Sequence, residues 1–401
     1  MHFDPRSFSC GVILGAALVL ILAGIWFPRA YQHAVQEKPV AAPSLESPGA
    51  SVGDETITSL LQPIRRKFEM PAMAAAVITG ENVPRCGAVG VLKRGTTLPV
   101  RLDCLWHLGS DTKAMTSTLV ARLVEQHKMR WDSTLAEIFP DLAAKMNPAF
   151  CKVTVRDLLT HRAGLPANLD YSGYVTGDVQ ALRSRAVRDA ATGAPVNGGA
   201  FLYSNLSYIL AGALVERVTG QSWEQAITQA LFAPLGMQSA GFGGTGSPGR
   251  IDQPWPHAED GTPAPENGPD ADNPPVLGPA GRVHCTIQDW ARFVQDQLRG
   301  DRGEPALLAP DSYHQLHAPA AGGDHAMGWI AVERSWGGGR VYNHGGDNTM
   351  NFANVWMAPQ RDFAILVCVN QGGQQAFKAT DAAVGALLKT VPANILPKAV
   401  M

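Results

Sequence analysis

Charged side chains are scarce in this sequence. They make up 17% of its 401 residues, against about 25% in ordinary globular chains. Apolar residues reach 45%, so the chain lacks the composition of a disordered protein and has enough material for a large core. A basic excess is also missing: 33 Lys and Arg face 35 Asp and Glu, for a net charge of −2. Nucleic-acid binding normally leaves a basic footprint, so no nucleic-acid partner is expected. No Cys-x-x-Cys occurs, which argues against a cysteine-rich zinc site. Neither an internal repeat nor a sustained heptad is present, which excludes a coiled coil.

Cysteine itself is sparse. Cys10, Cys86, Cys104, Cys151, Cys285 and Cys368 are the full set. Five lie after the N-terminal segment, an odd number, so at least one is free or pairs between chains. Cys86 and Cys104 are near enough in sequence for a bridge between neighbouring strands. Buried thiols acting as small hydrophobes are the preferred reading.

One long apolar run is present. Residues 11–27 carry no charge. Seventeen helical residues reach about 25 Å, just short of a bilayer core. The run ends in Trp26, Phe27, Pro28 and Arg29, a poor cleavage site but a fair interfacial belt. It reads as an uncleaved transmembrane anchor, with a cleaved signal peptide as the alternative. Either way the remainder is expected outside the cytoplasm, on the periplasmic side. Residues 31–54 are rich in Ala, Pro, Ser, Glu and Gly and read as a linker. Residues 55–392 then form one folded unit, and 393–401 a tail.

Within that unit, hydrophobic spacing predicts helices over 57–67, 111–128, 208–219, 223–232, 289–298 and 376–388, and the start of one at 153–160. Strands are predicted at 72–79, 86–92 and 327–333, from 341 on toward 357, and at 363–370. Met115, Leu119 and Leu123, with Val120 and Val124 beside them, define one buried face on the 111–128 helix. The expected architecture is α/β (α+β): a mixed, mainly antiparallel sheet flanked by helices, plus a mid-chain helical lobe. Residues 241–279 carry nine prolines and are too long for an idle connection. They read as either a substrate-facing wall or a solvated surface loop.

Three short motifs carry chemistry. Ser110-Asp111-Thr112-Lys113 is the sole Ser-x-x-Lys. A serine at a helix start feels the positive end of the helix dipole. Lys113, three residues on, shares its face. A buried lysine amine can shed its proton and accept the serine's. The competing reading is a capping serine with a surface lysine. Tyr203-Ser204-Asn205 is the sole Tyr-x-Asn. Its phenol suits a proton relay and its amide suits substrate recognition, unless Asn205 merely caps a helix. His344-Gly345-Gly346 ends a strand, where glycines admit a substrate backbone; a tight turn is the alternative.

Taken in order, these motifs resemble those of the serine β-lactamase and penicillin-binding superfamily. They are most similar to its branch of class C β-lactamases, D-alanyl-D-alanine carboxypeptidases and esterases. Leu158-Leu159-Thr160-His161 with Gly164-Leu165-Pro166 matches that family's texture. So do Pro234-Leu235-Gly236-Met237 and Ala280-Gly281, the latter followed by 289–293. The resemblance covers about residues 57–390. It implies Ser110 as acylated nucleophile, Lys113 as proton acceptor, and Tyr203 as partner base and proton donor to the leaving group. It implies Asn205, His344, Gly345 and Gly346 as substrate-binding, and the N–H groups of Ser110 and Asp347 as the oxyanion hole. No metal or organic cofactor is implied; the partner is a small-molecule or peptidoglycan-type substrate.

This chain has His344-Gly345-Gly346 where lactamases of the branch carry Lys-Thr-Gly. A hydroxyl and a cation that would hold a substrate carboxylate are therefore missing. The expected activity is a serine hydrolase of esters, amides or D-amino-acid peptides. A β-lactamase, a non-catalytic penicillin-binding sensor and a tethered cell-wall interaction protein are the alternatives. His161 and His107 read as packed neighbours. His314 and His317 sit at i and i+3 without an evident third ligand.

Overall fold

The computed structural model describes residues 51–392. The anchor reading of 11–27, most of the linker and the tail lie outside the described residues. Among the described residues, no helix is long and apolar enough to cross a membrane.

Ten strands occur in this region: β1 (Ser51–Gly53), β2 (Ala72–Thr79), β3 (Arg85–Gly90), β4 (Leu105–His107), β5 (Gly241–Phe242), β6 (Val283–Thr286), β7 (Ile330–Arg334), β8 (Gly339–Asp347), β9 (Phe352–Ala358) and β10 (Phe363–Val369). Seven form one sheet in the order β1-β3-β2-β10-β9-β8-β7. Every pair in it is antiparallel, so the expectation of a mixed sheet is corrected. Short turns join β7 to β8 to β9 to β10, and only antiparallel strands can be joined so closely. The predicted linker also runs too far. Residues 51–53 pair with β3, and Asp54 accepts from Ile57 N at 3.0 Å to cap the first helix.

Strand β10 sets the layers. Phe363, Ile365, Val367 and Val369 face one core, with Ile57, Leu61, Ala379 and Ala383. Those partners come from α1 (Glu55–Lys67) and α7 (Gly373–Leu387). Ala364, Leu366 and Cys368 face the other core, shared with the helical lobe. Covered on both faces, the central strands read as near-continuous apolar runs. The lobe and its flank contain α2 (Thr112–Glu125), α3 (Val179–Thr192), α4 (Asn205–Thr219), α5 (Ile287–Asp301) and α6 (Pro310–His317). A three-stranded sheet, β4-β6-β5, sits beside them.

Three sequence expectations change here. Helix α2 is buried on nearly all sides rather than along one face. Its hydroxyls are satisfied internally: Thr116 donates to Pro279 O at 2.8 Å, and Ser117 meets the Tyr208 hydroxyl at 3.1 Å. The predicted strand running from 341 toward 357 is two strands. The chain reverses at 348–351, where Thr349 has φ +72° and the Asn348 carboxamide accepts from Met350 N and Asn351 N. The 241–279 segment is not a solvated loop. Trp255 and His257 are buried, and Trp255 Nε1 donates to Ala264 O at 2.6 Å.

Helix α3 escaped prediction because its buried stripe contains an arginine. Arg183 is fully buried. It pairs with Glu216 at 2.6 Å and with Glu224, and donates to the carbonyls of Pro275 and Val276. It thereby holds the end of the 241–279 segment against α4. Arg183→Met should cost about 3–5 kcal/mol of unfolding free energy, because buried Glu216 loses its counter-charge. Urea titration of both proteins measures this.

Candidate active site

Strand β4 delivers Gly109, which has φ +50°. That left-handed residue turns the chain into a tight 3₁₀ turn, Gly109–Asp111, which runs straight into α2. Ser110 is half-buried at the turn, while Lys113 is fully buried one turn on. Lys113 Nζ lies 3.0 Å from Ser110 Oγ, 2.8 Å from Asn205 Oδ1 and 2.7 Å from Ala280 O. Two of these partners are pure acceptors. A neutral amine would give them its two N–H groups and leave its lone pair for the serine proton. Burial does push the Lys113 amine well below its ordinary range, partly opposed by Asp111. Asp111 is buried too, neither of its carboxyl oxygens has a hydrogen-bond partner, and burial raises its proton affinity strongly. The reading of Lys113 as a surface lysine is thus overturned.

Asn205 opens α4 but does not cap it. Ser204 caps, accepting from Ser207 N at 3.1 Å. Asn205 is free to face Lys113 with its oxygen while its Nδ2 donates to Asn168 Oδ1 at 2.9 Å. Asn168 in turn accepts from the Tyr171 hydroxyl. Tyr203 is half-buried and close enough to Ser110 for that side chain to lower the pKa of its phenol. Its ring centre lies 4.9 Å from Lys113 Nζ. Burial raises the phenol's pKa, partly offset by Ser110, so Tyr203 holds its proton. His161 packs on the Tyr203 ring at 4.5 Å and accepts from Ser204 N at 3.0 Å, a supporting role.

His344 lies on β8, buried, with Nδ1 2.7 Å from Gly328 O. A carbonyl only accepts, so Nδ1 carries the proton and Nε2 the lone pair. Burial pushes its pKa down to about 3, helped by Lys113 and His325 and opposed by the Gly328 bond. The third motif therefore offers no cation at neutral pH. Gly345 and Gly346 follow on the same strand. Gly346 has a reason to be glycine that the sequence does not suggest. A Cβ there would sit 1.9 Å from Leu108 O and 2.8 Å from Ser110 N. One on Gly109 would sit 2.8 Å from Asp347 N. The protein's own backbone fills that space, bringing the N–H groups of Ser110 and Asp347 into one locality. The Asp347 carboxyl turns away to accept from Thr349 N and Gly373 N, and burial lifts its pKa to about 6.

Ser110, Lys113, Tyr203, Asn205, His344 and the Gly345–Asp347 segment thus lie together in one locality. Asn168 and the Ala280 carbonyl belong to it and were not predicted as site groups. Asn168 lies just past the Gly164-Leu165-Pro166 stretch, and Ala280 opens the Ala280-Gly281 pair. Their roles depend on partners far away in sequence, and one is a backbone atom. Elsewhere, His317 Nδ1 lies 2.6 Å from Asp301 Oδ1 and His314 Nε2 3.2 Å from Asp301 O. The five described cysteines, Cys86 and Cys104 included, are free thiols.

The sheet with its helical lobe, and the serine and lysine at the head of a buried helix, are features of the penicillin-recognising serine enzymes. The Beta-lactamase family model matches residues 57–389, and the chain belongs to that family. It is 29% identical to "Penicillin-binding protein 4" of Amycolatopsis lactamdurans, over 78% of this chain and 84% of that one. It is 32% identical to "Esterase EstB" of Burkholderia gladioli, over 51% of this chain and 54% of the esterase. The chain spans half or less of two further relatives. In solved structures the fold recurs in a class C β-lactamase from Rhodobacter sphaeroides. The TM-score there is 0.66 at 20% identity, covering 84% of this chain and all of that one. Family members of this fold are serine hydrolases.

Proposed function

We propose that the protein hydrolyses an ester, amide or D-amino-acid peptide through an acyl-enzyme on Ser110. The observation that carries this reading is the fully buried Lys113 amine, 3.0 Å from Ser110 Oγ and pinned by two further acceptors. Lys113 takes the serine proton as Oγ bonds to the substrate carbonyl carbon. The N–H groups of Ser110 and Asp347 hold the resulting oxyanion, each contributing about 3 kcal/mol. Tyr203, which keeps its proton, donates to the departing alkoxide or amine and is reprotonated from Lys113. Water then attacks the acyl carbon by the reverse route and frees Ser110.

Substrate preference follows from the third motif. A neutral His344 supplies no ionic partner to a carboxylate, so esters and uncharged acyl groups are favoured over β-lactams and free peptide C-termini. Relatives named as an esterase and a penicillin-binding protein support both ends of this range. The apolar run at 11–27 supports a location outside the cytoplasm, within reach of peptidoglycan-type substrates.

The test is a panel of p-nitrophenyl esters, nitrocefin and D-Ala-D-Ala peptides. Wild type should turn over esters fastest. Ser110→Ala should lose all turnover and all fluorophosphonate labelling. A wild type that is neither labelled nor active on any of the three would sink the proposal.

A further inference from the structure

The mechanism above uses no side chain of the 241–279 segment, yet one of them bonds to residues flanking both oxyanion donors. The Asp272 side chain has no solvent exposure. Its carboxylate meets three donors. Oδ2 accepts from His107 Nε2 at 2.9 Å and from Arg282 Nε at 3.1 Å, and Oδ1 accepts from Asn348 Nδ2 at 2.9 Å. The two oxygens thus point to different walls: β4 and the approach to β6 on one side, the β8–β9 turn on the other.

Each arm continues into the backbone beside an oxyanion donor. His107 Nδ1 accepts from Gly109 N at 3.1 Å, which fixes the turn immediately before Ser110. Because Nδ1 accepts, the ring proton sits on Nε2 and is donated to Asp272. On the other arm, Asn348 directly follows Asp347. Its Oδ1 accepts from Met350 N, Asn351 N and Asn351 Nδ2, which fixes the turn immediately after Asp347.

We propose that Asp272 is a positioning residue for the oxyanion hole. Its carboxylate ties the Gly109–Ser110 turn to the Asp347–Asn348 turn and so sets the spacing of the two N–H donors. The inference rests on the acyl-enzyme reading of Ser110. It also gives the Pro-rich segment a role, that of carrying one acceptor-only group between the two turns. An amide could not replace it. All three partners donate, whereas an asparagine presents one accepting atom and would turn an N–H toward one of the arms.

The test compares wild type, Asp272→Asn and Asn348→Asp with a p-nitrophenyl ester carrying a ¹³C-labelled carbonyl. Asp272→Asn should lower kcat about ten- to hundredfold, since misplaced donors lose part of what a deleted donor loses. KM should change little, because the interaction matters in the transition state. In the cold-trapped acyl-enzyme, the ester carbonyl stretch should move to higher wavenumber as its hydrogen bonds weaken. A change in fold stability alone would not shift that band. Asn348→Asp keeps the oxygen that accepts from Met350 N and Asn351 N, loses the donor to Asp272, and leaves the His107–Asp272–Arg282 cluster in place. It should move the band the same way, and it carries the test if Asp272→Asn does not fold. An unshifted band with wild-type kcat in the variants overturns the clamp alone. A wild type that forms no acyl-enzyme overturns the underlying reading and the clamp with it.

Discussion

Replacing Lys113 by methionine should lower the acylation rate of Ser110 at least ~10³-fold, the loss expected when a nucleophile is deprived of its base. The same variant should change how stability depends on pH. In the folded protein, burial pushes the Lys113 amine down and the Asp111 carboxyl up. Whichever of the two carries it, the pair holds one proton near neutral pH. In the unfolded chain it also holds one near neutral pH, on the amine. Wild-type stability therefore gains no net slope from the pair. In Lys113→Met, the folded state keeps the Asp111 proton and the unfolded state has none above about pH 4. Stability should fall as pH rises above that value, by about 1.4 kcal/mol per unit relative to wild type, until the raised Asp111 pKa is passed. Asp111→Asn should do the opposite. Its unfolded lysine binds a proton that the folded one refuses, so stability should climb with pH toward about 10. Urea titrations of the three proteins across pH 5–9 separate these slopes; parallel curves would mean that the amine and carboxyl are not neutralised by burial.

Local spacing explains how the proposed nucleophile could be located from sequence while its surroundings could not. Ser110 and Lys113 sit three residues apart on one helix, and local spacing alone puts them together. Tyr203 and Asn205 are similarly local to each other, and only family resemblance joins them to Ser110. The strands that bring them together are long apolar runs and were legible. β10, for example, alternates cleanly between its two cores. What stayed hidden has a common cause. Helix α3 buries an arginine, so its periodicity is masked until Glu216 and Glu224 are seen to pair with it. Asp272 lies in a stretch with no periodicity, and its three partners come from β4, the approach to β6 and the β8–β9 turn. The break at 348–351 depends on backbone N–H groups donating to the Asn348 side chain, which hydropathy does not register. Buried polar groups with distant partners are what a linear reading misses, and this site is built mostly from them.

Gly346→Ala should be nearly as damaging to catalysis as loss of an oxyanion donor, a fall in kcat of about 10²-fold or more. The added methyl would meet Leu108 O at 1.9 Å and Ser110 N at 2.8 Å. Both are backbone atoms, so no rotamer change relieves the contact. Strand β8 must instead move off the Gly109–Ser110 turn, and the N–H groups of Ser110 and Asp347 separate. The overpacking itself should cost about 1–3 kcal/mol of stability. Gly345→Ala is the comparison on the same strand. Its methyl would meet the buried Phe352 ring at 3.3 Å, a contact that a shift of a few tenths of an ångström relieves. It should lose less of the wild-type rate than Gly346→Ala. Steady-state kinetics on a p-nitrophenyl ester, with thermal unfolding of each variant, makes the comparison. Equal losses for the two glycines would point to a substrate lying along β8 as the reason for both. A loss confined to Gly346 would assign that residue to the close approach of the chain to itself, on which the oxyanion site depends.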